Sequence, residues 1–276
     1  MVCNDSPVYN GLAYLEQTLL SVLSQDFGPD RMQIEVIDDI STEGDVAAIV
    51  NRVGNGRVAY YRQPFNVRNF ETCINRAVGE YIYILHGDDY VKPGFYKAIN
   101  QLFINFPEAG TACTDWRAVN DNGTFVWSNE PVGDERRILK NWHQIIARRQ
   151  YLEPPAKVVK RSVYEDLGSF YLVNCAEDWL MWNRIAAKYP VAYHPEVLAK
   201  YRNHDQNITS ASFKNRKFFL DSYKTMLYNI AHLPEHLRAA SEKALIVAKD
   251  ALKFQVNIYS VKQYLKLLFK IATRYK

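Results

Sequence analysis

The sequence predicts an α/β fold, with a mainly parallel sheet flanked by helices and a small C-terminal helical appendage. Three observations carry this reading. Short β-branched or aromatic runs alternate with amphipathic stretches of helical length through about the first 115 residues. Two of those runs stop abruptly at a pair of aspartates. From residue 213 onward, apolar residues recur at helical spacing instead.

Taken in order, Leu12, Leu15, Leu19, Leu20, Val22 and Leu23 predict a helix over 11–25. QIEVI at 33–37 is a short strand that ends at Asp38–Asp39. Helical pattern returns near 44–53, VAYY at 58–61 predicts a strand, and a helix follows around 69–78. YIYIL at 81–85 is the next strand, and it too runs into acids, Asp88–Asp89. A helix after Pro93 and a strand at 110–116 complete this half. Strands joined by helices of this length imply right-handed crossovers and a parallel sheet.

Composition sets the limits. The 276 residues are 48% apolar, enough for a sizeable core, yet no run reaches the roughly 18 apolar residues of a spanning helix. Cys3, Cys73, Cys113 and Cys175 are far apart and form no CxxC pair. That pattern predicts reduced thiols in a soluble cytoplasmic protein rather than a disulfide framework or zinc site. The net charge is +4, of which Lys253, Lys262, Lys266, Lys270, Arg274 and Lys276 supply six, so the rest of the chain stands at −2. A positive charge confined to the tail gives no case for nucleic acid as a partner.

The two Asp-Asp pairs are the first chemical clue. Ligands of open α/β sheets sit beyond the carboxyl ends of the strands, so Asp39 and Asp88 are expected to face one crevice. The bland alternative for either pair is capping of the next turn.

PVYN at 7–10, SVLSQ at 21–25, VIDDIST at 36–42, GEYIYILHGDD at 79–89 followed by Pro93, and AEDWLMW at 176–182 stand in register along the chain. In that order and spacing the sequence resembles the family 2 inverting glycosyltransferases of the GT-A, Rossmann-like fold, from about residue 6 to residue 204. The resemblance implies a GT-A domain over 1–205, with a nucleotide-sugar half at about 1–115 and an acceptor half at about 116–205. Residues 206–276 remain as a C-terminal helical region.

The resemblance also implies roles. Pro7, Tyr9 and Asn10 would form the loop under the nucleotide base, with Tyr9 giving apolar contact, and Asp39 would accept a hydrogen bond from base or ribose. HGDD occupies the place of the family's DxD motif, with His86 where the first acid usually stands. Asp88 is then the expected ligand of a divalent metal, Mg²⁺ or Mn²⁺, with Asp89 beside it. Such a cation neutralises the leaving diphosphate. Arg68 is a candidate phosphate contact or a solvated surface residue. Asp178 of the Glu177–Asp178 pair would be the general base, and both acids also suit a helix N-terminus. His204, in YRNH at 201–204, is a candidate for the metal or diphosphate, or a structural histidine.

The donor is expected to be a UDP-sugar, and the acceptor a glycan or lipid-linked hydroxyl. Only Met1, Val2 and Cys3 precede the polar Asn4, Asp5 and Ser6. The apolar strand that the family places before its PxYN loop is therefore either abbreviated here or begins upstream. In the tail, Lys262, Lys266, Lys270 and Arg274 fall four apart beside Leu265, Leu268 and Phe269. Residues 261–276 form either a basic face packed on the main domain or a peripheral membrane contact. A non-catalytic module binding sugar nucleotide or glycan on the same fold is the rival reading. A nucleotidyltransferase is disfavoured, since NGLAYLE at 10–16 is no glycine-rich phosphate loop.

Overall fold

The computed structural model describes residues 2–65, 69–204 and 217–235. Arg68 and the basic stretch 261–276 lie outside the described residues. The chain forms two compact units, the first from residues 1–140, 151–170 and 188–204, the second from 141–150, 171–187 and 205–276.

The first unit is built on one mixed sheet. Its elements are β1 (Val2–Val8), α1 (Leu12–Leu23), β2 (Met32–Asp38), α2 (Val46–Gly54), β3 (Ala59–Arg62), α3 (Asn69–Arg76), β4 (Tyr81–Ile84), β5 (Tyr90–Val91), α4 (Phe95–Asn105), β6 (Thr111–Val119), β7 (Phe125–Trp127) and β8 (Arg137–Ile138). After a short helix of the second unit, α5 (Trp142–Ile146), come β9 (Lys157–Lys160), α6 (Arg161–Leu167) and the long β10 (Val191–Arg202). The strand order is β3-β2-β1-β4-β9-β6-β10-β5, with β7 paired to β6 and β8 to β10. Strands β1 to β4 pair in parallel, as do β6 and β10, while β9 and β5 run antiparallel to their neighbours.

Local chemistry explains the elements. Leu15, Leu19 and Val22 line the buried face of α1. Helix α2 starts at Asp45, whose carboxylate accepts from the Ala48 amide at 2.9 Å, and ends at Asn55 in the left-handed region. Met32, Ile34, Val36 and Ile37 are all buried in β2. A strand covered on both faces reads as a continuous apolar run.

Polar residues take part in the first strand, Val2–Val8. Val2–Val8 pairs along its full length with β2, and Val2–Asp5 pairs with β4, so β1 lies inside the sheet. Asp5 and Ser6 are wholly buried there. Neither carboxylate oxygen of Asp5 has a hydrogen-bond partner among the described residues. Burial pushes its carboxyl well above the usual range, and the charge of Glu35 adds to the rise against Arg76 and Arg161. Glu35, opposite Asp5 in the register, is itself held by Arg76 at 2.5 and 3.0 Å.

The second unit contains α5 (Trp142–Ile146), the helix α7 (Glu177–Lys188) up to Ala187, and α8 (Lys217–Ala231). Trp179 packs with Met226, and its indole N–H donates to the Ile146 carbonyl at 2.6 Å. Among the described residues, no helix is long and apolar enough to cross a membrane.

Candidate functional site

The end of β1 organises the candidate site. The Val8 carbonyl accepts the Asp39 amide at 2.8 Å, and the Pro7 carbonyl accepts the Gly87 amide at 3.1 Å. The loops after β2 and β4 therefore hang on opposite sides of the same strand end. Gly87 has a packing reason to be glycine, since a Cβ there would meet Val8 Cγ2 at 2.6 Å.

On the β2 side, alternation along the strand separates the two acids. Asp38 is wholly buried. It accepts from the Ser41 amide at 2.8 Å, the Tyr60 hydroxyl at 2.7 Å and Arg62 at 2.6 Å. Burial acts to raise its carboxyl, but the Ser41, Tyr60 and Arg62 interactions outweigh it and hold it below the usual range. Asp39 is half-buried, and Gln63 Nε2 donates to its Oδ1 at 2.6 Å. Burial lifts Asp39 above the usual range against the Gln63 bond, with the Asp38 charge adding to the rise. The next residue, Ile40, has φ 59°. A β-branched residue in the left-handed region costs about 1–3 kcal/mol and persists only where its surroundings over-determine it.

Asn10 also has positive φ and ties the end of β1 to the loop after β2. Its Oδ1 accepts the Thr42 amide at 2.8 Å and the Glu43 amide at 3.1 Å, and its own amide donates to Ser41 Oγ at 3.1 Å. Tyr9 is 58% exposed, so it is no core aromatic. Pro7 is buried in the strand itself.

On the β4 side, ligand atoms of His86, Asp88 and Asp89 lie within 4.8 Å of one another. His204, at the end of β10, comes to the same place: its Nε2 lies 3.0 Å from Asp88 Oδ2. Burial would raise Asp88, yet the His204 hydrogen bond and the charges of His86 and His204 hold it below the usual carboxylate range. Asp89 is wholly buried and accepts the Arg202 amide at 2.8 Å. Burial pushes it well upward and the Asp88 charge adds to this, against the Arg202 amide.

The donor set fits a divalent cation. Asp88 keeps 26% side-chain exposure. His86 Nε2 and Asp89 Oδ2 are buried without a hydrogen-bond partner among the described residues. A set dominated by carboxylate oxygen suits Mg²⁺ or Mn²⁺.

The floor of this cluster is Arg202, a residue sequence reasoning did not single out. It is wholly buried, and its Nε donates to the Asp88 carbonyl at 2.8 Å. Its Nη1 donates to the carbonyls of Asp121 at 3.0 Å and Asn120 at 3.2 Å, and its Nη2 to Gln17. The rings of Tyr14 and Tyr90 cover the guanidinium at 4.6 and 5.4 Å. The only sequence signal was its place in YRNH, two residues before His204. Gln63 was missed as the support of Asp39 for the same reason, lying 24 residues away in sequence.

In the second unit, Glu177 and Asp178 form the first turn of α7, where the helix dipole favours acids. Ala176 ahead of them has φ 63°. Gln150 donates to Asp178 Oδ2 from the segment after α5. Both acids are half-buried.

The profile of the family described as "Glycosyl transferase family 2" matches residues 6–168. An uncharacterized protein of Mycobacterium tuberculosis is 26% identical over 268 residues, covering 91% of this chain and 83% of its own. The poly(ribitol-phosphate) beta-N-acetylglucosaminyltransferase TarS of Staphylococcus aureus is 24% identical over 204 residues, which is 68% of this chain but 34% of that protein. The crystal structure of TarS 1–349 in complex with UDP-GlcNAc superposes with a TM-score of 0.73 at 16% identity, covering 98% of this chain and 80% of that one. A mannosyltransferase of Pyrobaculum calidifontis, in complex with GDP-Man and Mn²⁺, superposes with a TM-score of 0.59 at 17% identity, covering 96% and 78%. At these identities the structural likeness shows the fold alone, which is GT-A.

Proposed function

The chain belongs to glycosyl transferase family 2, and from that premise we propose that it moves a sugar from a UDP-sugar to a hydroxyl of a glycan or lipid-linked acceptor. The transfer inverts the anomeric carbon and serves cell-surface polysaccharide or glycolipid assembly. The observation that carries the reading is the convergence of Asn10, Asp39, His86 and Asp88 on the end of β1. UDP is the preferred base because the TarS structures were solved with UDP-GlcNAc and with UDP.

In this reading Tyr9 offers an exposed ring to the uracil, and Asp39, oriented by Gln63, accepts from the imide or a ribose hydroxyl. Arg68 is kept as a candidate phosphate contact. His86, Asp88 and Asp89 would hold Mg²⁺ or Mn²⁺, with His204 orienting the Asp88 carboxylate. When bound, the cation supplies charge neutralisation for the departing diphosphate.

Inversion is a single displacement. The acceptor oxygen bonds to the anomeric carbon as the bond to the diphosphate oxygen breaks, and that oxygen keeps the electron pair. The acceptor proton passes to Asp178, whose orientation Gln150 maintains. Positioned base catalysis of this kind contributes roughly 10²–10⁴-fold. Glu177 supports the first turn of the same helix. The reaction is assigned to the cytoplasm, where buried thiols such as Cys73 and Cys113 are stable.

The test is thermal stability against UDP-, GDP-, dTDP- and CMP-sugars, each with and without Mn²⁺, followed by a transfer assay. A ligand at a hundred times its dissociation constant adds about 2.7 kcal/mol. A metal-dependent UDP-sugar shift that vanishes in Asp88→Ala is expected, with turnover lost in Asp178→Asn while the shift survives. No shift with any donor refutes the reading, as does full turnover in Asp178→Asn. A shift without transfer would favour the binding-module alternative.

A further inference from the structure

One strongly charged face is not used by the chemistry above. Lys200 of β10 lies opposite Arg117 of β6 in the parallel register, and opposite Tyr90 of β5 in the antiparallel one. The ladder continues with the Lys92 amide donating to the Leu198 carbonyl at 2.8 Å. By alternation, Tyr90 and Lys92 share a face, as do Lys200 and Arg202. Two cations on adjacent strands and a third just past β5 thus stand together.

No described carboxylate pairs with them directly. Among the described residues, none of the Lys92, Arg117 and Lys200 side chains forms an ion pair or donates a hydrogen bond. Arg117 lies over the Phe125 ring at 5.6 Å, and that ring is 55% exposed. The neighbouring carboxyl, Asp115, is buried and engaged by the Tyr193 hydroxyl and the Trp116 amide, and it feels the Arg117 charge without forming an ion pair with it. Burial together with the charges of Lys92 and Arg117 lowers the Lys200 ammonium from its usual range. Like charges opposite one another across strands destabilise a sheet. A lone lysine on an edge strand guards against aggregation, but Lys200 and Arg117 lie on β10 and β6, inside the edge strand β5.

The position matters as much as the charge. Lys200 is two residues, about 6.6 Å along the strand, from Arg202, whose guanidinium holds the Asp88 carbonyl. Arg117 and Lys200 sit on neighbouring strands about 4.8 Å apart, and Lys92 follows one strand over and two residues along, so the cations spread over a surface rather than one pocket. Such a spread fits a chain carrying charges in series. Compact phosphate oxygens suit both lysine ammonium groups and an arginine fork, and the Phe125 ring gives apolar contact between them.

We propose that the Lys92–Arg117–Lys200 face binds the phosphodiester backbone of an anionic acceptor chain and leads its hydroxyls toward the Asp88 site. The inference rests on the transferase reading above for its purpose, but on Lys92, Arg117 and Lys200 for its binding.

The test is binding of a short synthetic oligo(glycerol phosphate) to the full chain, by calorimetry at two salt concentrations. A neutral glucan oligomer, polygalacturonate and phosphatidylglycerol vesicles serve as competing probes. Wild type is expected to bind the phosphodiester oligomer in a salt-sensitive way, and Arg117→Gln/Lys200→Gln to bind it at least tenfold more weakly. The double variant should keep the wild-type UDP-sugar thermal shift, which shows that it is folded and that its donor site is intact. Equal oligomer binding by wild type and variant overturns the proposal, and so does no binding by wild type. Equal affinity for polygalacturonate overturns the phosphodiester assignment, and preference for vesicles makes this a membrane surface instead. Loss of the donor shift in wild type with oligomer binding intact would sink the transferase reading while leaving this face in place.

Discussion

Replacing Arg202 by lysine should cost far more than a conservative exchange suggests. The guanidinium is wholly buried and reaches four acceptors: the carbonyls of Asp88, Asn120 and Asp121, and Gln17. Lysine brings a single ammonium on a flexible stem and cannot span a planar fork of acceptors. At least two hydrogen bonds from this buried charged donor would be lost, each worth about 1.5–3 kcal/mol. Weakened contact with the Tyr14 ring, 4.6 Å away, adds about 0.5–2 kcal/mol. The expected loss is about 4 kcal/mol, and at about 2–4 °C per kcal/mol for a domain of this size the melting temperature should fall by about 8–16 °C. Differential scanning calorimetry measures this directly. The metal-dependent UDP-sugar shift, taken well below the melting point, should also weaken because the Asp88 backbone is no longer held. A loss below about 1 kcal/mol would refute the reasoning, since it would mean that Arg202 is not the organising group of this cluster.

Three further outcomes follow from the same geometry. Asp5→Asn removes an unpartnered buried carboxyl. Because the folded-state pKa of Asp5 is raised, its contribution to stability is present below the unfolded value of about 3.9 and is lost as pH rises. The variant should therefore overtake wild type as pH rises above about 4, and urea midpoints at pH 4 and pH 8 check this; a less stable variant at pH 8 contradicts it. Asp38 has the opposite sign, with a lowered folded-state pKa, so its contribution is present above about pH 3.9 and is lost as pH falls. Asp38→Asn should cost about 1.5–3 kcal/mol at neutral pH, with the gap narrowing in denaturation curves run near pH 3. Gly87→Ala drives a Cβ against Val8 and should pry the two loops apart. Donor affinity is expected to fall at least tenfold in a titration of the folded variant, and an unchanged affinity would show that the loops move independently.

Much of this protein was legible in one dimension. The helix over 11–25 and the strands ending at Asp38 and near Asp88 rest on apolar periodicity, and the structure has α1 at Leu12–Leu23, β2 at Met32–Asp38 and β4 at Tyr81–Ile84. Local hydrophobic pattern reports the period of the backbone that buries it. That Asp39 and the HGDD loop lie at the same end of the sheet also followed from strand order, because parallel neighbours end on the same side. The first strand was harder, since Asn4, Asp5 and Ser6 carry no strand pattern. They are extended because β2 and β4 pair with them from both sides, a gain in backbone hydrogen bonds that local propensity cannot show.

The sequence by itself therefore determined the family, the element order and the strand ends where acids collect. The tertiary structure alone decided which acid of each pair is buried, and that Arg202 supports Asp88 across 114 residues while His204 reaches it across 116. It also decided that Lys92, Arg117 and Lys200 share one face. The physical reason is that burial and hydrogen-bond partnership depend on which strands are neighbours. That is settled by long-range pairing and register, to which a reading of local periodicity is blind.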